Sequence, residues 1–131
     1  MLDINILAVL VAAFASFIFG ALWYSPVLFM NRWCQETGID PNSNVTNPAK
    51  VYGITFLLTL VSAVVFAAFL GREPALSSAL IWAVVVGLGL VAASMAINYQ
   101  FANRSLVHWM IDSGFHIGRF IIIGIILGLW H

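Results

Sequence analysis

Four apolar runs of similar length dominate the chain: Ile6 to Tyr24, Val51 to Leu70, Ala79 to Ile97, and Trp109 to Trp130. A helix of about 20 residues is long enough to cross the hydrocarbon core of a bilayer. Inside lipid, each unpaired backbone N–H or C=O costs several kcal/mol, so irregular or open-edged structure cannot face it. Four helices are the economical solution. The expected fold is all-α, a polytopic membrane four-helix bundle forming one transmembrane domain over residues 1–131.

Charge usage agrees. Charged residues make up 8% of the 131-residue chain and hydrophobic residues 63%, whereas soluble domains carry about 25% charged residues. Of the charged side chains, Asp3, Arg32, Glu36, Asp40, Lys50, Arg72, Glu73 and Arg104 mark the gaps between runs, while Asp112 and Arg119 fall inside the last one. Net charge is zero and no basic run exists, which argues against nucleic-acid partners and a polybasic lipid-surface patch. Cys34 is the single cysteine, so neither an internal disulfide nor a thiolate metal cluster can form within one chain. It reads as a loop thiol or an intermolecular contact. The first run is preceded by Met1-Leu2-Asp3-Ile4-Asn5 rather than a basic n-region, and is expected to be an uncleaved span.

Trp23, Tyr24, Tyr52, Trp82, Tyr99, Trp109 and Trp130 sit at or within a turn of the expected boundaries, as interfacial aromatic anchors do. The first loop, Ser25 to Lys50, is the only sizeable polar segment. Leu28 or Phe29 lies one turn before Trp33, which predicts a short amphipathic helix over residues 27–34, lying in the interface. Arg32, Lys50 and Arg104 on one side against Arg72 on the other favour loops one and three in the cytoplasm and both termini outside. Small residues recur every fourth position: Ala12/Ser16/Gly20, Thr59/Ala63/Ala67, Ala83/Gly87, Gly89/Ala93, Gly114/Gly118 and Gly124/Gly128. Such repeats let helix backbones approach inside lipid and predict a tight bundle with contacts between protomers.

The candidate site is a polar stripe, His108, Asp112, His116 and Arg119. At 3.6 residues per turn these lie within a wedge of roughly 80° on one helix face. A charge at bilayer depth costs about 2.5–3.5 kcal/mol on insertion scales, so such groups turn toward protein or water and carry function.

Two blocks resemble a known family. Trp23-Tyr24-Ser25-Pro26-Val27-Leu28-Phe29 with Trp33 and Gly38, and Ile111-Asp112-Ser113-Gly114-Phe115-His116 with Gly124, Gly128 and Trp130, are similar to domain-of-unknown-function family 1761, small four-span bacterial membrane proteins. The resemblance covers nearly the whole chain. It implies four membrane helices, a bacterial inner-membrane location and no known enzymatic activity, and it supplies no substrate. Pro26, Trp33, Asp112, Gly114 and His116 fit its pattern; Arg119 does not, and its claim rests on physical grounds.

Three readings of the stripe stay open. In the structural one, Asp112 pairs with His116 or Arg119 and pins helix register; breaking such a buried pair costs about 3–5 kcal/mol. In the second, Asp112 and His116 relay protons or line a permeation path at a subunit interface. In the third, His108, Asp112 and His116 bind a divalent ion or haem, but further ligands are needed and His131 sits at the far end of the span. Ser105, Ser113, His108 and Asp112 do not make a hydrolytic triad by proximity alone. For Trp23, Tyr24, Ser25, Pro26 and Trp33 the choice lies between an interfacial anchor with a helix stop and a gate or headgroup site; Asn98 and Gln100 are expected at the interface or hydrogen-bonding near His108. The functional expectation is a small oligomeric transporter or channel for an ion or small molecule, non-enzymatic and without cofactor or bound metal. The alternative is a structural or interaction subunit of a membrane complex.

Overall fold

The computed structural model describes residues 3–130, so His131 lies outside the described residues. Four long apolar helical spans are present, Ile6–Trp23, Pro48–Leu70, Leu76–Phe101 and Leu106–Leu129, and the protein is a helical multi-pass membrane protein. Helix α1 (Ile6–Trp23) starts where the Asn5 side chain accepts from the Ala8 N–H at 3.1 Å. It stops before Ser25-Pro26, because proline removes a donor and disfavours helical geometry in the residue before it.

The turn after α1 is closed by its own hydrogen bonds, Phe29 N–H to Trp23 C=O at 3.1 Å and Met30 N–H to Ser25 C=O at 3.2 Å. These bonds hold residues 24–29 in a turn, so the short helix α2 covers Met30–Thr37 rather than 27–34. Gly38 ends it in the left-handed region, φ 78°, a conformation glycine adopts without Cβ strain. Cys34 is buried on α2, which withdraws it from intermolecular contact.

Helix α3 (Pro48–Leu70) begins with proline in its first turn, where the missing N–H is harmless. The third span is α4 (Leu76–Val84), a π-helical stretch (Val85–Ala92) and α5 (Ala93–Phe101) in unbroken succession. Helix α6 (Leu106–Leu129) is capped by Ser105, whose hydroxyl accepts from the His108 N–H at 3.0 Å. The last three spans therefore start about three residues earlier than the apolar runs alone predict. At α6 the Ser105 cap sets the start and at α3 the proline of the first turn marks it, neither of which registers as hydropathy.

Helix α6 is the centre of the bundle: 39% of its apolar window is buried, against 17% for the third span. It packs on α1, α4 and the π stretch, while α3 leans chiefly on α1. Its two glycine pairs work differently. A Cβ on Gly128 would lie 2.9 Å from the Leu76 Cα and one on Gly124 3.0 Å from the Ala79 carbonyl oxygen, so this end brings two backbones together. Gly114 and Gly118 instead make room for the Trp23 and Phe19 rings of α1. Ala12, Ser16, Ala63, Ala67 and Ala83 are buried as the small-residue pattern predicts. The Gly89/Ala93 pair is not: both are exposed, and nothing lies within 4 Å of a Cβ built on Gly89. Gly87 is the glycine that meets α6, at Ile117, and Gly89, two residues on, lies on the opposite side of the helix.

Candidate functional site

Asp112 stands six residues into α6, about 9 Å from its start. Its carboxylate collects donors from every neighbouring element. The Tyr24 hydroxyl, just past the end of α1, donates to Oδ1 at 2.6 Å, and the Trp33 indole of α2 donates to the same oxygen at 3.1 Å. The Tyr99 hydroxyl of α5 donates to Oδ2, and His108 Nε2, one turn earlier on α6, lies 3.0 Å from it. His108 is itself buried, with its ring packed edge-on to Trp33 (6.1 Å, 88°) and tilted against Tyr99 (4.9 Å). Two further ties hold this end together. The Trp23 indole donates to the Ile111 carbonyl at 2.9 Å, and the Ser105 hydroxyl donates to Glu36 of α2 at 2.8 Å.

Why this sequence builds such a hub follows from the turn after α1. Reversal at Ser25-Pro26 brings α2 back over the end of α1, so Trp23, Tyr24 and Trp33 converge on α6 from two elements. A buried carboxylate is tolerated only when its lone pairs are met, and hydrogen bonds to a charged group are the strong ones. Three of the four groups around it are two phenols and an indole, neutral donors suited to a half-wet end of a bundle.

His116 and Arg119 form a second, separate group one to two turns further along. Arg119 Nε donates to His116 Nδ1 at 2.9 Å, and Nη2 reaches the Ser62 hydroxyl of α3 at 3.3 Å. The guanidinium carbon lies 4.6 Å from the centroid of the Phe120 ring, in cation–π range. Arg119 is 8% exposed, and its Nη1 has no hydrogen-bond partner. No carboxylate lies within ion-pair distance of it among the described residues.

The stripe is thus two clusters rather than one. Asp112 pairs with His108, not with His116 or Arg119 as expected. Seven residues separate it from Arg119, about 10 Å along the axis, and the nearer donors take every lone pair first. The divalent-ion set dissolves for the same reason, since His116 serves Arg119; no group of three His, Cys, Asp or Glu side chains suited to a metal exists among the described residues. Ser105 bonds Glu36 rather than His108's ring, and Ser113 Oγ is buried without a partner, so no triad geometry is assembled.

Trp23, Tyr24, Trp33, Tyr99 and Trp109, expected as interfacial aromatics, each make a hydrogen bond within the protein. Their polar tips point into the protein, with the Trp109 indole donating to the Ala92 carbonyl at 2.8 Å where the π stretch ends. Wide π turns shift the i→i+4 register, and such stretches often accompany functional sites. Ser25 stays local, its hydroxyl donating to the Leu22 carbonyl at 2.6 Å, and Pro26 is exposed. Asn98 and Gln100 are exposed too; the residue that reaches the hub is Tyr99 between them. Tyr99 and Ser62 are the participants that sequence reasoning missed. Tyr99 is 13 residues before Asp112 and on the preceding helix, and it reaches the carboxylate only because α5 packs beside α6 after the chain reverses at residues 102–105.

No curated protein and no solved structure is significantly similar to the chain. A family model described as "Protein of unknown function (DUF1761)" matches residues 7–128, a span that includes the first motif block, the second as far as Gly128, the Asp112 hub and the His116–Arg119 pair. The chain belongs to the DUF1761 family of proteins of unknown function.

Proposed function

We propose that this protein is a non-enzymatic structural unit of a membrane assembly, in which Asp112 acts as a latch. The observation that carries the reading is the donor set of Asp112: four side chains from α1's end, α2, α5 and α6 meet one carboxylate. A relay needs an acid with a free lone pair and a route for water; a latch needs saturation. The carboxylate is half sealed by Trp33, Tyr24 and Tyr99, and its side chain is 13% exposed. In this reading the protein sits in the bacterial inner membrane as a homo-oligomer with both termini outside the cytoplasm. Arg32, Lys50 and Arg104 favour that orientation. The fourth basic loop residue, Arg72, lies on the opposite side, in an exposed ion pair with Asp3 at 3.0 Å.

Translocation of an ion or small molecule is the second reading. It is favoured by one observation, the incompletely satisfied Arg119 deep in the last span. Proton and ion flux into proteoliposomes separates the two. Background flux in the parent, Asp112→Asn and His116→Gln proteins, with assembly in detergent lost on Asp112→Asn, supports the latch. Flux above background that vanishes in folded Asp112→Asn protein overturns it.

A further inference from the structure

Beside the Asp112 hub, a cavity of about 710 Å³ lies between α2, the loop over residues 39–45 and the start of α3. That volume is in the range of small-molecule sites, about 300–1,000 Å³. Tyr24, Trp33 and Tyr52 bring three aromatic rings to its lining, and Asp40 is the only charged side chain there. The Tyr24 and Trp33 rings stand at 79° with their centroids 6.0 Å apart, so two walls meet in a corner. Both side chains also donate to Oδ1 of Asp112. A phenol or indole that donates to a carboxylate is polarised by it and gains electron density on its ring, which strengthens the attraction of the ring face for a cation. Asp40 is held at the lining through Oδ1, which accepts from the Asn42 N–H at 2.9 Å. Lys50 lines a neighbouring cavity with Thr46 and Asn47, not this one.

A second cavity, of about 660 Å³, follows the cleft between α1 and α3 and adjoins the first, since Tyr24, Tyr52 and Thr55 line both. No charged side chain lines it. Phe17 and Phe115 supply rings, and Gly20 leaves room for Phe115, whose ring a Cβ there would meet at 2.9 Å. The two threonine hydroxyls of the cleft are spent on their own helix. Thr55 donates to the Val51 carbonyl at 2.7 Å and Thr59 to the Thr55 carbonyl at 2.8 Å. The cleft therefore behaves as an apolar wall. Ala21, Tyr52 and Thr55 are exposed, which leaves it open toward the acyl phase.

We infer that the joined cavities bind an alkyl quaternary ammonium ion, its charged head among Tyr24, Trp33, Tyr52 and Asp40 and its chain in the cleft beside Phe17 and Phe115. Three rings and one carboxylate suit a diffuse cation that has no N–H to satisfy. A primary ammonium brings three donors and finds a single carboxylate. A hard ion such as calcium takes about six to eight oxygen ligands, which this lining does not offer. A zwitterionic phospholipid brings a phosphate as well, and neither cavity is lined by a base to meet it. The inference goes beyond the latch reading. Asp40 and Tyr52 donate nothing to Asp112, so a failure of binding on changing them leaves the latch standing.

The test uses the full chain in dodecyl maltoside micelles, with equilibrium dialysis of radiolabelled decyltrimethylammonium and protein-free micelles as the baseline. The expected result is saturable binding above that baseline. Half-saturation should rise at least about threefold in Asp40→Asn and in Tyr52→Leu, the scale of one exposed ion pair or cation–π contact, while Tyr52→Phe keeps the ring and should bind like the parent. Asp40 and Tyr52 are both exposed, so neither change disturbs the packed bundle. Ala21→Trp fills the cleft away from the head and should erase the preference for decyltrimethylammonium over tetramethylammonium. Decanol and decylphosphocholine, of the same chain length, should each compete at least about tenfold less well than decyltrimethylammonium. Absence of saturable binding, half-saturation equal to the parent's in either folded variant, Asp40→Asn or Tyr52→Leu, or an unchanged chain preference in folded Ala21→Trp overturns the proposal. Equal competition by decanol does so too, and equal competition by decylphosphocholine overturns it in favour of a zwitterionic lipid headgroup.

Discussion

The two ends of the polar face of α6 carry opposite charges and meet opposite fates. At Asp112 the structure supplies a donor for each carboxylate lone pair that the geometry can reach, from four elements. At Arg119 it supplies a neutral imidazole, one serine hydroxyl and a ring face, and leaves Nη1 bare. The difference is one of available chemistry. Tyrosine and tryptophan are common near membrane interfaces and bring donors without charge. Acceptors are scarce among apolar helices, because their carbonyls are already spent within the helix. An embedded anion can therefore be met by tyrosine and tryptophan donors of its own bundle, whereas an embedded cation finds fewer acceptors.

Substitutions test that contrast directly. Asp112→Leu strands Tyr24, Trp33, Tyr99 and His108 together and should lower stability by about 3–5 kcal/mol, the scale of breaking a buried ion pair. Thermal unfolding in detergent measures it, and an unfolding temperature equal to the parent's removes the hub from the account. Tyr24→Phe deletes one donor to that carboxylate and should cost about 1.5–3 kcal/mol. In an Asp112→Asn background the cost should shrink, since the two groups act on each other; additive losses in a double-mutant cycle would mean that they do not.

Gly128→Val forces a side chain against the Leu76 backbone and should cost about 1–3 kcal/mol by overpacking. Gly89→Val, on the open face, should leave the unfolding temperature nearly unchanged, and a loss as large as that of Gly128→Val would put a helix against that face after all. A small effect is expected at the other charge as well. Arg119→Met should change stability by less than about 1 kcal/mol or raise it, because the charge it removes is incompletely paired. A loss comparable to that of Asp112→Leu would show that the two ends are satisfied equally well, and the contrast would fail.

Much of this architecture is legible without coordinates. The four runs read as spans because length and hydropathy act locally, and Asp112 and Arg119 stand out for the same reason: nothing else charged lies inside a run. Pro26 announces a helix stop through its own backbone preference. What was not legible is who meets whom. Trp23, Tyr24, Trp33 and Tyr99 have the composition of an interfacial belt whether they face lipid headgroups or a buried acid. Only the reversal at residues 24–29 and the approach of α5 to α6 decide between those, and both are long-range. The π stretch is similarly silent, since Val85–Ala92 is as apolar as any α-helical stretch beside it.

Sequence by itself determined that this chain lies in a membrane as helices, and that the last helix carries ionisable groups on one face. Hydrocarbon imposes both, through the cost of bare backbone and of bare charge. Tertiary structure alone decided that the face divides between a saturated acid and an unsatisfied base. A side chain's hydrogen-bond partners are set by which helices touch it, and helix neighbours are chosen by packing rather than by any local pattern of residues.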